Sequence, residues 1–174
     1  MTRLDQVERM IVKYPDFPSK GILFLDIFPL FKSPSAIKAL LEEFQRHITP
    51  LLKVDTIVGL EARGLLFGPT LALKLGCAFV PVRKAGKLPG HTVSVEYKKE
   101  YGIDKLEIHA ESISFGDNVV IIDDVLATGG TMKAAVDLVK KLGGNVIKCL
   151  VLIEITELKG KDIVGAPCYA LFEN

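Results

Sequence analysis

Residues 119–131 constrain this chain more than any other stretch. Val119, Val120, Ile121 and Ile122 form an apolar, β-branched run with the length of a buried strand. Asp123 and Asp124 follow, and then a small-residue turn made of Ala127, Thr128, Gly129, Gly130 and Thr131. Beyond the turn, Met132, Ala135, Val136, Val139 and Leu142 recur at helical spacing. The predicted order is strand, acidic pair, tight loop, helix.

That order suits a sugar phosphate. Gly129 and Gly130 allow positive φ and a close backbone approach to a ligand. Successive N–H groups at a helix N-terminus make an anion nest, and the helix dipole assists it. Thr128 and Thr131 add hydroxyl donors. Ionised Asp123 and Asp124 only accept hydrogen bonds, so they suit sugar hydroxyls or a metal's water shell and repel phosphate. A phosphate cradled by the loop and a ribose held by the carboxylates is the simplest ligand for both halves. The plainer reading makes the glycines a turn and the Asp pair a helix cap. The P-loop pattern and the dinucleotide Gly-x-Gly-x-x-Gly pattern are both absent.

The rest of the chain supplies the setting. Leu4, Val7, Met10 and Ile11 predict a helix over residues 3–13, broken by Tyr14, Pro15, Asp16, Phe17 and Pro18. Residues 21–27 form a short apolar stretch that local physics reads as an edge segment. Pro34 opens a second helix with Ser33 as its cap, carrying Ile37, Leu40, Leu41 and Phe44 on one face. Residues 55–59 read as the first buried strand. Beyond Glu61-Ala62-Arg63-Gly64 a helix runs on to Leu75, stopped at Gly76, and a second strand covers 78–82. Strand, helix, strand implies a parallel crossover. Open α/β sheets bind ligands at the carboxyl ends of such strands, which places Arg63, in Glu61-Ala62-Arg63-Gly64, well to meet a phosphate; the alternative is a surface charge at a helix start.

Arg83, Lys84, Ala85, Gly86, Lys87, Leu88, Pro89 and Gly90 follow the second strand. Three cations, two glycines and a proline predict an irregular, mobile basic loop able to close over a polyphosphate; the alternative is a solvated charge run. Residues 93–97 and 105–110 read as two strands flanking a polar tip with Glu100 and Tyr101, and Leu106, Glu107, Ile108 and His109 alternate. His109 and His47 read as structural. Residues 146–155 predict a long buried strand, and a short helical piece precedes a last strand over 168–172.

The 174 residues, 49% of them hydrophobic, suffice for one domain, 1–174, with a real core. A formal net charge of +1 gives no electrostatic case for nucleic acid or an anionic membrane. No apolar run spans a bilayer, and the N-terminus lacks a signal-peptide core. Cys77, Cys149 and Cys168 are widely spaced among apolar neighbours, reading as reduced, buried, structural thiols of a cytoplasmic protein. No Cys/His spacing suggests zinc.

The string 119–131 resembles the phosphoribosyl pyrophosphate (PRPP) motif of type I phosphoribosyltransferases across its whole length. Further stretches are similar to one branch of that family, the adenine phosphoribosyltransferases. They are Pro15-Asp16-Phe17-Pro18 with residues 21–26, Gly59-Leu60-Glu61-Ala62-Arg63-Gly64 with Phe67-Gly68, and Val82-Arg83-Lys84-Ala85-Gly86-Lys87-Leu88-Pro89-Gly90. Glu100-Tyr101-Gly102 and Leu158-Lys159-Gly160 also fit. The resemblance implies an α/β fold with a mostly parallel sheet flanked by helices, a small N-terminal hood from residues 1–32 and a flexible catalytic loop.

The reaction it implies is adenine plus PRPP giving AMP and pyrophosphate, in purine salvage, with Mg2+ and usually as a homodimer. By the same resemblance Leu23 and Leu25 offer backbone groups to adenine and Phe24 stacks on it. Arg63, with the Glu61 and Ala62 backbone, holds pyrophosphate. Arg83, Lys84 and Lys87 contact phosphates. Glu100, beside Tyr101, carries the proton at adenine N7. The catalytic set is then Glu100, Arg63 and Lys84. Mg2+ is held mainly by PRPP and water, with Asp123 and Asp124 as the candidate protein carboxylates. Leu25 stands where many members carry a basic residue, and Ala62 where Ser is common. Other readings are a different purine base, a PRPP-sensing regulator and a pure interaction protein; adenine and PRPP are the expected partners, without nucleic acid or membrane.

Overall fold

A computed structural model describes residues 3–49, 53–98 and 102–174. The chain divides into two compact units, Met1–His47 and Ile48–Asn174.

In the first unit, α1 (Arg3–Arg9) is followed by β1 (Val12–Pro15), which pairs antiparallel with β2 (Leu23–Asp26). The helix predicted over residues 3–13 is therefore shorter. The Met10 and Ile11 N–H groups close its last turn on Val7 O and Glu8 O, and the next residues join a ladder that no local periodicity announces. The stretch read as an edge segment contains that ladder's second strand. Between the strands, the Asp16 carboxylate accepts the Gly21 N–H at 2.7 Å and fixes the reversal. A 3-10 turn (Phe28–Lys32) leads to α2 (Pro34–Ile48). Ser33 Oγ accepts the Ala36 N–H at 3.3 Å, an N-cap where the sequence placed one. His47 Nε2 lies 3.2 Å from Glu43 Oε1, one helical turn away.

The second unit is an α/β sheet. Its elements are β3 (Thr56–Leu60), α3 (Gly64–Leu75), β4 (Ala78–Lys84), β5 (Thr92–Lys98), β6 (Ile103–His109), β7 (Asn118–Leu126), α4 (Gly130–Lys141), β8 (Asn145–Glu154), α5 (Lys161–Val164) and β9 (Cys168–Glu173). Seven strands lie in the order β5-β6-β4-β3-β7-β8-β9. From β4 through β9 they run parallel; β6 is antiparallel to β4 and β5 to β6. The mostly parallel sheet predicted from the sequence is the observed one.

Strand residues alternate between faces. Val58, Leu60, Val119 and Ile121 join Met132, Ala135 and Val139 of α4 in one buried layer. Ile57, Val120 and Ile122, equally buried, serve the opposite face, where the first residue of α3 abuts the Ile122 carbonyl. This two-sided burial is why the strands read as continuous apolar runs.

Two boundaries, and the burial of the cysteines, differ from the sequence reading. β7 does not stop at Ile122: Asp123, Val125 and Leu126 pair with Val151, Ile153 and Glu154 of β8, so the acidic pair lies within the strand. β4 continues through Arg83 and Lys84, opposite Glu107 and Leu106, so the basic stretch begins as sheet because β6 offers it a partner. Of the three cysteines, all free, only Cys149 is fully buried; Cys77 and Cys168 are half-buried. Cys149 and Cys168, far apart in sequence, are register partners across β8 and β9. Burial pushes the Cys149 thiol well up and that of Cys168 up to about 11, so both remain protonated near neutrality.

Candidate active site

The site lies at the carboxyl ends of β3, β4 and β7. Along β7 the acidic pair points to alternate sides. Asp124 is 4% exposed. Asp123 keeps some accessible surface but is densely surrounded by protein. Asp123 Oδ1 accepts the Asp124 N–H at 2.9 Å. Arg63 Nε stands 2.8 Å from Asp124 Oδ2, a charge contact without hydrogen-bond alignment, since that buried oxygen accepts no hydrogen bond. Burial, and for Asp123 the neighbouring charge of Asp124, raises both carboxyl groups above the ordinary range; Arg63 opposes the shift.

Beyond β7 the chain turns at Gly129, whose φ of 85° is left-handed, and enters α4 at Gly130. This turn encloses a cavity of about 80 Å³ lined by Asp123 and residues 125–132. Its wall includes the first N–H groups of α4, which have no partner within the helix. Thr131 Oγ donates to the Tyr97 hydroxyl at 3.4 Å. One rim is acidic and the other is a helix N-terminus, a division chemically suited to a sugar at one end and a phosphate at the other.

The second loop follows β3. The Glu61–Ala62 peptide is cis, and Arg63 leads directly into α3. Glu61 reaches across to β4: Arg83 donates from Nε and Nη2 to its two oxygens at 3.2 and 3.3 Å, and the Lys84 N–H donates at 3.0 Å. Desolvation works against its ionisation. The hydrogen bonds from Arg83 and Lys84, with the charges of Arg83 and Lys87, outweigh it and hold the carboxyl below its usual range.

The third loop, after β4, is tied from below. Glu107 Oε1 accepts the N–H groups of Lys87 and Leu88 at 2.9 and 2.8 Å. Lys84 Nζ lies 3.8 Å from Asp104 Oδ2 on β6. Glu107 is only 6% exposed, because the basic loop folds over it. Its charge among apolar neighbours was the one available signal. Asp104 and Tyr97 gave none.

The structure thus brings Glu61, Ala62, Arg63, Asp123, Asp124 and the loop from Ala127 to Thr131 to one end of the sheet, with Arg83, Lys84 and Lys87 on the adjoining strand and loop. Leu23, Phe24 and Leu25 stand on β2 in the first unit. Leu25 is buried, and Phe24 packs edge-on against Phe17, centroids 5.0 Å apart. Glu100 and Tyr101 lie outside the described residues.

A parallel sheet with an acidic strand end, a threonine-glycine loop and flanking cations defines a phosphoribosyltransferase, and the phosphoribosyl transferase domain family matches residues 31–173. The chain is 50% identical over 169 residues to an adenine phosphoribosyltransferase of Yarrowia lipolytica, covering 95% of this chain and 93% of that one. It is similar to the adenine phosphoribosyltransferase of Saccharomyces cerevisiae solved with D-2,5-dideoxy-2,5-imino-altritol 1,6-bisphosphate and adenine. There the TM-score is 0.94 at 46% identity, over 97% of this chain and 98% of that one. The enzyme of Giardia lamblia solved with 9-deazaadenine superposes with a TM-score of 0.93 at 36% identity, over 100% and 98% of the chains. The chain belongs to the adenine phosphoribosyltransferase family.

Proposed function

We propose that the ends of β3, β4 and β7 bind PRPP, and that the residues 23–25 hold adenine, in the reaction of this family. That reaction, adenine plus PRPP giving AMP and pyrophosphate, serves purine salvage. The observation that carries the assignment of parts is the cavity beyond β7, with Asp123 at one end and residues 127–131 around the other.

In this reading the turn holds the 5′-phosphate through backbone N–H groups, Thr128 and Thr131, and Asp123 and Asp124 take the ribose hydroxyls. As pyrophosphate leaves, negative charge grows on it and positive charge on the ribose. Arg63, Lys84 and Lys87 stabilise the first, and the acidic pair stabilises the second. Glu61 and Asp104 hold Arg83 and Lys84 on that side of the sheet. The loop over Glu107 shields PRPP from water when it closes. Glu100 manages the adenine proton, a role worth about 10²–10⁴-fold; Glu100→Gln with undiminished turnover removes it from the mechanism.

The donor set fits Mg2+ arriving with PRPP. Asp123 and Asp124 offer carboxylate oxygens, one of them accepting no hydrogen bond, and Mg2+ characteristically takes one or two carboxylates with substrate phosphates and water. When bound, the ion neutralises charge on the leaving pyrophosphate. Among the described residues no three His, Cys, Asp or Glu side chains gather as a cage. A homodimer is the assembly we infer: the exposed apolar residues Leu66 and Leu73, two turns apart on α3, support it. The free cysteines fit a reducing compartment, the cytoplasm. No described helix is long and apolar enough to cross a membrane.

The test is pyrophosphate release from PRPP and Mg2+ with each purine base in turn. Release with adenine alone is the expected result. Binding of PRPP without release for any base replaces catalysis with PRPP sensing.

A further inference from the structure

Behind the phosphate turn lies a second loop that the reaction has not yet used. After β8 the chain passes through a 3-10 turn (Thr156–Leu158) and α5 before β9. Its Gly160 meets the turn backbone to backbone. A Cβ at Gly160 would run into Ala127 O and stand 3.0 Å from Gly129 N; a Cβ at Gly129 would run into Gly160 O and stand 2.9 Å from Ile163 Cγ1. Each residue occupies the space a side chain on the other would need.

This second loop is itself pinned. Ile155 N–H donates to Leu126 O at 2.9 Å, and Thr156 N–H to Asn174 O at 3.1 Å, fixing its start to β7 and the chain end. Val164 is buried in the α4 layer. Between them the ammonium of Lys161 pairs with Glu154, a carboxylate only 5% exposed on the last residue of β8. A segment fixed at both ends and tied in the middle is a rigid backing rather than a passing connection.

We propose that Gly160, held in place by the Lys161–Glu154 pair, is a positioning residue that sets the aim of the N–H groups in the turn 127–131. The proposal rests on the reading that this turn binds the 5′-phosphate. Hydrogen bonds to an anion depend on direction and distance, and a shift of about 1 Å in positioning groups costs on the order of 10²-fold. Any side chain at position 160 moves the Ala127 carbonyl, and the turn moves with it. The pyrophosphate end of the site, at Glu61 to Arg63, has no contact with Gly160 among the closest approaches and keeps its geometry.

Calorimetric titration of the full-length chain with ribose 5-phosphate and, separately, with pyrophosphate tests this. Gly160→Ala weakens ribose 5-phosphate at least about tenfold and leaves pyrophosphate within about twofold. Lys161→Met, an independent variant should Gly160→Ala not fold, shifts affinity in the same direction, and Lys161→Arg restores it. Thr128→Ala is titrated beside them. If Thr128→Ala weakens ribose 5-phosphate while Gly160→Ala or Lys161→Met binds it as the parent does, the backing role is wrong and the phosphate reading stands. Equal loss of both ligands in the Gly160 variant reduces the residue to general stability and also overturns the proposal. If Thr128→Ala leaves ribose 5-phosphate untouched, the phosphate reading fails and the backing role fails with it.

Discussion

Arg63 Nε and Asp124 Oδ2 stand 2.8 Å apart, joining the start of α3 to the end of β7. Their side chains are 22% and 6% exposed, so the pair belongs to the interior more than to the surface. Removing one partner of such a pair leaves a buried charge, which costs about 3 kcal/mol at the lower end of its range. Arg63→Ala is therefore expected to lower denaturant stability by about that amount and to reduce kcat/KM for PRPP more than tenfold. Arg63→Lys restores the charge but not the planar guanidinium, so its stability recovers further than its activity. Equal recovery of both would assign Arg63 to stability alone.

Asp123 gives a pH prediction. Its carboxyl is raised above the ordinary value of 3.8 by burial first and by the charge of Asp124 second. A carboxyl raised in the folded state contributes stability below its unfolded pKa and loses that contribution as pH rises through the folded value. At neutral pH, well above the unfolded value, keeping this carboxyl in its buried place is thus a burden on the fold. Asp123→Asn is expected to raise Tm at pH 7, by about 2–4 °C for each kcal/mol released. The gap over the parent should close as the pH approaches the unfolded value. PRPP affinity should fall in the same variant, the pattern of a residue kept for function against stability. Melting curves from pH 4 to 8 decide it.

Those two residues also show what the sequence made legible. Asp123 and Asp124 were visible because carboxylates interrupting an apolar strand have few structural uses, and the glycine-threonine turn after them has its own chemistry. The parallel sheet was visible because buried strands write continuous β-branched runs. The partners were not visible. Glu107 is named a loop anchor only by the fold that lays residues 87 and 88 over it. Gly160 matters only because β8 ends beside Leu126 and returns the chain behind the turn. The strand at Val12–Pro15 depends wholly on its partner, and a helical spacing of four apolar residues concealed it. Contacts distant in sequence carry no local period, so pattern reading stops where they begin.

Gly64 marks the closest approach of α3 to β7. A Cβ there would stand 2.5 Å from Ile122 O and 3.2 Å from Asp123 Oδ1. Either the strand end or the helix start must shift to admit it. Gly64→Ala is expected to cost about 1–3 kcal/mol through overpacking. It should also reduce turnover sharply, because the displaced carboxylate is Asp123. A variant with parental PRPP kinetics would show that the helix, not the strand end, takes up the strain.

Glu61 and Arg83 make the bridge between the two phosphate-side loops, with two donors on two oxygens. Arg83 is one-third exposed, so solvent screening limits the pair to about 1 kcal/mol. A double-mutant cycle with Glu61→Gln and Arg83→Gln should give a coupling of that size in stability. The Glu61 carboxyl is held below its ordinary value of 4.5, so this coupling is present above that pH and fades as the pH falls through the folded value. A coupling constant from pH 7 to pH 3 would contradict the ion pair.

Glu107 governs the basic loop from underneath. Its desolvation disfavours the charge, but N–H groups of Leu88, Gly86 and Lys87 and the Thr92 hydroxyl together hold the carboxyl below 4.5. A carboxyl lowered in the folded state stabilises above its unfolded pKa, and that share disappears as pH falls through the folded value. Glu107→Gln keeps an acceptor oxygen but loses the charge, a difference of about 1 kcal/mol for a charge-assisted bond. The stability gap between parent and variant should be full at pH 7 and shrink below about pH 4.5. Lys84 and Lys87 flank the anchored backbone, so loosening it should raise KM for PRPP several-fold while adenine KM stays near the parental value. Steady-state kinetics with each substrate varied in turn separates the outcomes: a rise in both constants would mean that the loop holds the whole site together, and a rise in neither would mean that Glu107 serves the sheet alone.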